Sequence, residues 1–115
     1  MARSNVVPQT LSRAGITPTY NAATAPGTGG DGFSNGGRTF IHVLNTGVEK
    51  TLTIQTPGTV DGNAITDRAV VIPLTTGNKM IGPFPPAIYN QSNGQVYLDW
   101  SLETDVTFAV VTMAS

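Results

Sequence analysis

The sequence predicts an all-β fold: an antiparallel β-sandwich or a jelly-roll-like small barrel of about seven or eight short strands, with an extended N-terminal arm. Apolar and polar residues alternate in segments such as residues 51–56, which is the period of a half-buried strand. Turn residues separate these segments, and no segment has a helical period of even two turns. Charged residues make up only 11% of the chain, and Thr, Asn, Ser, Gly and Pro, which disfavour helix interiors, take their place.

A chain of 115 residues is long enough for one hydrophobic core, so we expect one domain. Within it, residues 1–22 are predicted to form an N-terminal arm and the first strand, residues 23–37 a Gly-rich loop, and residues 38–115 the β-sandwich core. The loop is predicted because Gly, Ala, Pro, Thr and Asn dominate that stretch, where only Phe33 has a large apolar side chain.

The clearest strands are residues 39–44, rich in β-branched and aromatic side chains, and residues 51–56, which alternate. The turn residues Asn45-Thr46-Gly47 follow the first of them, so we expect the two strands to form a hairpin. A further turn is predicted at Asp61-Gly62.

The second half of the chain contains a short strand at residues 69–72 and a Pro-rich crossover at residues 83–86, which carries Phe84 towards the core. Asn-Gly at residues 93–94 predicts a hairpin between residues 88–89 and residues 96–100. The last strand, residues 106–113, is apolar on both faces, so a central position in a sheet is expected.

Alternation also predicts which side chains share the core. We expect one cluster formed by Leu52, Ile54, Val96, Leu98, Trp100, Val106, Phe108 and Val110.

The pattern of reactive side chains favours a protein that is not an enzyme. His42 is the single histidine and has no His, Cys or carboxylate within a few residues. The Gly-rich stretch lacks the Gly-Lys-Ser or Gly-Lys-Thr ending of a phosphate loop. Asp61 and Asp67 lie around the Gly62 turn, but oxygen ligands are so common in turns that these two carboxylates do not predict a calcium site. We therefore predict no catalytic residue, no cofactor and no metal.

Charge and hydropathy exclude two further classes of partner. The basic residues are scattered singly, whereas phosphate neutralisation needs several on one surface, so no nucleic acid is expected. No segment approaches the roughly 20 apolar residues of a membrane helix, and no signal peptide is recognisable, so no membrane partner is expected.

Two interpretations of the aromatic residues near the Asn-Gly turn stay open. Tyr89, Tyr97 and Trp100 beside Asn, Gln and Asp are typical of a sugar-binding face. If Trp100 shares the inward face with Leu98, as alternation predicts, it belongs to the core instead.

Four segments together resemble a known family. They are ARSNVVPQTL at residues 2–11, GRTFIHV at residues 37–43, TIQTPGTVDG at residues 53–62 and IGPFPPAIYNQ at residues 81–91. The chain resembles the small virion accessory proteins of tailed bacteriophages, which accompany the major capsid protein.

The resemblance implies a structural virion protein of the decoration, or cement, type. It implies that the protein binds the major capsid protein on the outside of the phage head, as a homo-oligomer and most commonly a trimer, after assembly in the host cytoplasm. The alternatives are a tail or head-fibre accessory β domain, or a carbohydrate-binding adhesion module on the virion.

Partner contacts are predicted in two places. The N-terminal arm is apolar, β-competent and separated from the core strands by the Gly-rich stretch, so we expect it to dock on a neighbouring chain. Its contact residues are predicted to be Arg3, Val6, Val7, Pro8 and Leu11. The second place is in the loops, where Phe33, Phe84 and Tyr89 are predicted to contact a partner.

Overall fold

The structure is a computed structural model that describes residues 3–25, 29–73 and 77–113. Of these residues, 47% lie in strands and 4% in a helix, which confirms the all-β prediction. The sheets are not closed into a barrel, so the barrel alternative is wrong.

The described residues form twelve strands and one short helix. In chain order these are β1 (Ser4–Val6), β2 (Gln9–Thr10), β3 (Asn21–Ala22), β4 (Asp31–Ser34), β5 (Thr39–Asn45), β6 (Lys50–Ile54), β7 (Thr59–Val60), β8 (Asn63–Ala64), β9 (Arg68–Ile72), β10 (Asn78–Ile81), α1 (Pro86–Tyr89), β11 (Gln95–Trp100) and β12 (Val106–Thr112).

The longer strands form two sheets. The first has the order β1-β4-β11-β6-β9, and the second has the order β10-β5-β12-β2, with β3 also pairing with β12. Most pairs are antiparallel, as predicted, but β1 joins β4 and β2 joins β12 in parallel. Strands β7 and β8 form a separate antiparallel pair. The N-terminal arm therefore supplies an edge strand to each of the two large sheets.

The inward faces of the two sheets share one hydrophobic core. All eight side chains predicted by alternation are buried in that cluster, together with Phe33, Ile41 and Val43. The rings of Trp100 and Phe108 lie 5.3 Å apart, centroid to centroid, and join the two sheets. Each such buried side chain contributes roughly 1.5–3 kcal/mol relative to an exposed one, so this packing dominates the stability.

The predicted hairpin between residues 39–44 and 51–56 is wrong. Strand β5 pairs with β10 and β12 in the second sheet, whereas β6 pairs with β11 and β9 in the first. The link between them turns a corner, and the Asn45 side chain holds it: Nδ2 donates to the Val48 carbonyl at 2.8 Å, and Oδ1 accepts from the Gly47 N–H at 3.0 Å. A turn signal does not reveal which sheet the next strand joins.

The predicted Asn-Gly hairpin is also wrong in its first strand. Residues 88–89 belong to α1, where Pro86 stands at the first helical position and its fixed φ suits a helix start. The turn itself is present, with the Gly94 N–H donating to the Gln91 carbonyl at 2.9 Å and a Gly94 φ of 80°. The strand that follows, β11, pairs with β4 and β6.

The turn at Asp61-Gly62 is confirmed. It joins β7 to β8, and φ is 53° at Asp61 and 78° at Gly62. Two positive φ values are the requirement of a type I′ hairpin turn, which Asp-Gly satisfies at low steric cost.

The predicted Gly-rich loop is a strand in part. Strand β4 occupies Asp31–Ser34, pairs with both β1 and β11, and buries Phe33 completely. Residues 26–28 of the predicted loop lie outside the described residues. The strand was missed because glycine lowers β propensity, whereas here Gly32 is buried against Arg3 and Tyr97, where a Cβ would be crowded at 3.2–3.3 Å.

Candidate docking surface

An apolar groove of about 440 Å³ lies at the edge of the second sheet, beside β5 and β10. Two methionines form its exposed rim, since Met80 is 67% and Met113 is 56% exposed. The described residues that line it are Gly37, Arg38, Phe40, Met80, Ile81, Gly82, Pro83 and Met113. An open groove with flexible, polarisable thioethers at its rim suits contact with another protein surface.

A smaller depression of about 170 Å³ continues this surface across the outer face of the second sheet. It shares Phe40 and Met80 with the groove, and the N-terminal segment adds Leu11, Ile16 and Pro18. We call the combined surface the outer apolar face; its members are Leu11, Ile16, Pro18, Phe40, Met80, Pro83 and Met113. Contiguous exposed apolar surface of this kind marks interaction sites more often than isolated exposed side chains do.

His42 belongs to the smaller depression and has a structural role. Its Nδ1 and the Tyr20 hydroxyl lie 2.7 Å apart, and its Nε2 hydrogen-bonds the Asn78 side chain. The Tyr20 and His42 rings meet edge to face at 5.7 Å. His42 thus ties the N-terminal segment and β10 to the centre of the sheet.

The open edges of the two sheets are poorer candidates for docking. Strands β9 and β10 end their sheets, and each carries an exposed basic residue. In the ladders Arg68 pairs with Ile54, and Lys79 pairs with Val43. Charged side chains on edge strands oppose the addition of another strand. The outer apolar face is therefore a better candidate docking surface than the edges formed by β9 and β10.

Within the single chain, the predicted arm residues contact their own domain, and docking of the arm on a neighbouring chain stays a prediction. Arg3 Nη1 donates to the carbonyls of Asp31 and Leu98 at 3.1 Å and forms a 2.8 Å salt bridge with Asp99 Oδ1. The Arg3 guanidinium also lies 4.1 Å from the centroid of the Tyr97 ring. These contacts hold the start of the arm against β4 and β11.

The rest of the arm divides between core and surface. Val6 is half-buried and packs against the core cluster. Val7 is 75% exposed, where the chain passes from β1 to β2, and Pro8 beside it is half-buried. Leu11 is half-buried and is the only one of the five predicted arm residues in the outer apolar face.

The three predicted loop residues are buried, and their role in binding a partner stays a prediction. Phe33, Phe84 and Tyr89 belong to the core cluster, with ring centroids 5.7 Å apart for Phe33 and Phe84 and 5.3 Å apart for Phe84 and Tyr89. The Tyr89 hydroxyl accepts a hydrogen bond from Arg68 Nε at 2.9 Å. Large aromatic side chains stabilise most where water is excluded, so the hydrophobic effect places them inside.

The prediction that Trp100 belongs to the core is confirmed, since it is 3% exposed. Tyr97 is half-buried beneath Arg3. All aromatic side chains of the chain fall in the described ranges, and none of them is exposed. Tyr20, Phe40 and Tyr97 are half-buried and the other rings are buried, and the sugar-binding alternative stays a prediction.

Asp67, one of the two carboxylates considered for calcium, is hydrogen-bonded within the fold. Asp67 Oδ1 accepts from the Thr56 N–H at 3.0 Å and from the Thr56 hydroxyl at 3.2 Å. Across residues 3–25, 29–73 and 77–113, no group of three or more His, Cys, Asp or Glu side chains could hold a metal ion. Within the same ranges, no helix is long and apolar enough to cross a membrane.

Comparison of the chain with protein-family models, with curated proteins and with solved structures found no match. Sequence reasoning missed Met80 and Met113 as surface residues because a methionine in a strand is equally suited to a core. One signal was present: Met80 is two residues from Asn78, so alternation places it on the polar, outward face of β10.

Proposed function

We propose that the protein is a structural virion protein of the decoration type, which binds the outer surface of a phage head and reinforces it without catalysis. The outer apolar face is the observation that carries the proposal. Interface centres are depleted in charge and enriched in Met and aromatic residues, and here Met80, Met113 and Phe40 meet with Arg38 at the rim. The resemblance of four segments to phage virion accessory proteins supports the same conclusion.

The proposed partner is the major capsid protein in its assembled form. A protein that binds only the assembled shell stabilises it by mass action, in proportion to the logarithm of its free concentration over its dissociation constant. A trimer adds avidity, because the second and third contacts form at a high effective concentration. We propose a homotrimer on the capsid exterior, built from β-sandwich domains of jelly-roll type and assembled in the host cytoplasm.

The fold suits this role physically. The two sheets enclose one tightly packed core, and the arm extends both sheets by an edge strand, so the outer apolar face rests on a rigid support. A preorganised surface loses little conformational entropy on binding, which favours affinity. A tail or head-fibre position would use the same surface. Recovery of the chain in head fractions or in tail fractions distinguishes the head from the tail position.

Heating of particles with and without the protein tests the reinforcing role. Genome release is followed by the fluorescence of a DNA-binding dye, and release should begin at a lower temperature when the protein is missing. Adding the purified protein back to depleted particles should restore the higher temperature. Equal release from both kinds of particle would contradict the role, and recovery of the chain only in tail fractions would replace it by the tail alternative.

A further inference from the structure

A buried lysine lies at one end of the core. Lys50 is the first residue of β6, faces inward with Leu52 and Ile54, and is only 2% exposed. Its Nζ donates to the Val48 carbonyl at 2.7 Å, and no salt bridge to it is present among the described residues. An ammonium group has three donors and a large desolvation cost, so this position is unfavourable for a purely structural lysine.

An asparagine of the other sheet meets the same carbonyl. Asn45, the last residue of β5, is 5% exposed, and its Nδ2 donates to the Val48 carbonyl at 2.8 Å. Lys50 Nζ and Asn45 Nδ2 therefore share one acceptor. The distance between these two nitrogen atoms is at most the sum of the two hydrogen-bond lengths. The Gly47 N–H donates to Asn45 Oδ1 at 3.0 Å and polarises the side-chain carbonyl.

One buried carboxylate oxygen without a hydrogen-bond partner belongs to Glu103, in the turn that leads into β12. Glu103 Oε2 is buried, and no described residue hydrogen-bonds it. The Glu103 carbonyl accepts from the Val106 N–H at 3.2 Å, and Val106 pairs with Asn45 across β12 and β5. A buried polar atom with no partner is rare in folded proteins and requires an explanation.

The ladder of the first sheet brings the segment before Glu103 towards Lys50. Trp100 pairs with Leu52, and the pairing continues where the Ser101 N–H donates to the Thr51 carbonyl at 2.9 Å. The next step along both strands reaches Lys50 on one side and the residue before Glu103 on the other. The amine, the amide and the carboxylate thus belong to neighbouring segments where the two sheets end, although the Glu103 carboxylate lies outside salt-bridge distance of Lys50 Nζ.

We propose that Lys50 and Asn45 form an intramolecular isopeptide bond, with Glu103 as the proton acceptor. After its side chain has rotated into hydrogen-bond distance of Lys50 Nζ, Glu103 takes one proton from the Lys50 ammonium, which leaves a neutral amine. Lys50 Nζ attacks Cγ of Asn45, and the Gly47 N–H stabilises the negative charge that develops on Oδ1.

The products balance without an external reactant. The Nζ–Cγ bond forms as the Cγ–Nδ2 bond breaks, and the second proton lost by Nζ goes to Nδ2, so ammonia leaves. The proton on Glu103 then converts ammonia to ammonium and restores the carboxylate. The reaction replaces a buried ammonium by an uncharged amide, which removes the desolvation cost of that charge.

The bond would join the two sheets at this end, because Asn45 is the last residue of β5 in the second sheet and Lys50 is the first residue of β6 in the first. Its formation depends on the fold alone and is independent of the proposed capsid role.

Mass spectrometry of the purified, folded chain tests the proposal. The intact mass should be lower than the sequence mass by one ammonia molecule. Trypsin should fail to cleave after Lys50, and fragmentation should show residues 45 and 50 bridged. The full sequence mass together with normal cleavage after Lys50 would overturn the proposal.

Variants separate the bond from other losses of ammonia. Lys50→Met, Asn45→Ala and Glu103→Gln should each have their full sequence mass, whereas Glu49→Gln, an exposed neighbour, should keep the loss. Cyclisation at an Asn-Gly pair also releases ammonia, but it leaves the bond after Lys50 cleavable. Circular dichroism confirms that each variant is folded; a folded Lys50→Met chain that still lacks one ammonia would contradict the assignment, and the wild-type result decides if a variant does not fold.

Discussion

Trp100 donates its indole N–H to Asp31 Oδ2 at 2.8 Å, in the interior where Trp100 is 3% and Asp31 is 1% exposed. Asp31 also accepts from the Thr24 N–H at 2.9 Å and from the Thr24 hydroxyl at 2.7 Å. Its carboxylate is therefore well satisfied despite its burial. The cluster ties the segment that follows β3 to the first sheet.

Replacing this carboxylate should destabilise the fold strongly. Asp31→Ala leaves the Trp100 N–H and two Thr24 donors without their acceptor, and each unpaired buried donor costs about 1–3 kcal/mol. We expect the free energy of unfolding to fall by about 2–4 kcal/mol in urea denaturation, because water can replace part of the lost bonding. Glu49→Ala, at an exposed position, should change it by less than about 0.5 kcal/mol, and an equal effect of both variants would contradict this role.

The arm should loosen when its anchor is removed. Arg3→Ala removes a partly exposed salt bridge to Asp99, worth up to about 1 kcal/mol, and the contact with Tyr97, worth about 0.5–1 kcal/mol. Amide hydrogen exchange in β1 should accelerate several-fold, while exchange in β5 and β12 stays unchanged. Arg13→Ala, an exposed arginine of the same segment, is the control. Unchanged protection of β1 in the Arg3→Ala chain would show that Arg3 does not anchor the arm.

Gly30 is required by a positive φ and by close contacts. Its φ is +72°, and a Cβ would meet Arg3 Nη1 at 2.5 Å and the Leu98 carbonyl oxygen at 2.9 Å. Gly30→Ala should therefore lower the melting temperature by an amount equivalent to about 1–3 kcal/mol. Gly36→Ala, where a Cβ meets nothing within 4 Å, should have little effect. Equal melting temperatures of the two variants would be inconsistent with the packing described.

Alternation predicted the core because it is a local property with a physical cause. Side chains two residues apart in a strand face the same side, so Leu52 with Ile54, and Val96 with Leu98, had to share an environment. The same rule extends backwards to Lys50, which was overlooked because lysine is rarely buried. The inward position of Lys50 on its strand therefore indicates that it is buried, whereas its residue type indicates the opposite.

Strand pairing could not be read in the same way, because it depends on contacts distant in sequence. Asn45 and Lys50 are five positions apart but end in different sheets, and nothing local distinguishes such a corner from a hairpin. The outer apolar face likewise joins Leu11, Phe40, Met80 and Met113 from distant parts of the chain. Only the assembled fold brings these side chains together.

A charge introduced into the outer apolar face should leave the stability of the free protein unchanged but weaken its binding to a partner. Met80 is 67% exposed, so Met80→Lys should change the free energy of unfolding by less than about 0.5 kcal/mol. Binding to assembled shells, measured by co-sedimentation, should weaken at least about tenfold, because the new charge must be desolvated. Val60→Lys, at a position 60% exposed on β7, is the matched control. Equal binding by both variants would exclude this face as the contact surface.

A cryo-electron map of the phage particle that carries this protein tests the central claim most directly. Decoration of the shell predicts density for the two-sheet domain on the exterior of the head, with Phe40, Met80 and Met113 facing the capsid protein and copies related by three-fold symmetry. Density for the domain only on the tail, only at a fibre, or nowhere on the particle would contradict the claim.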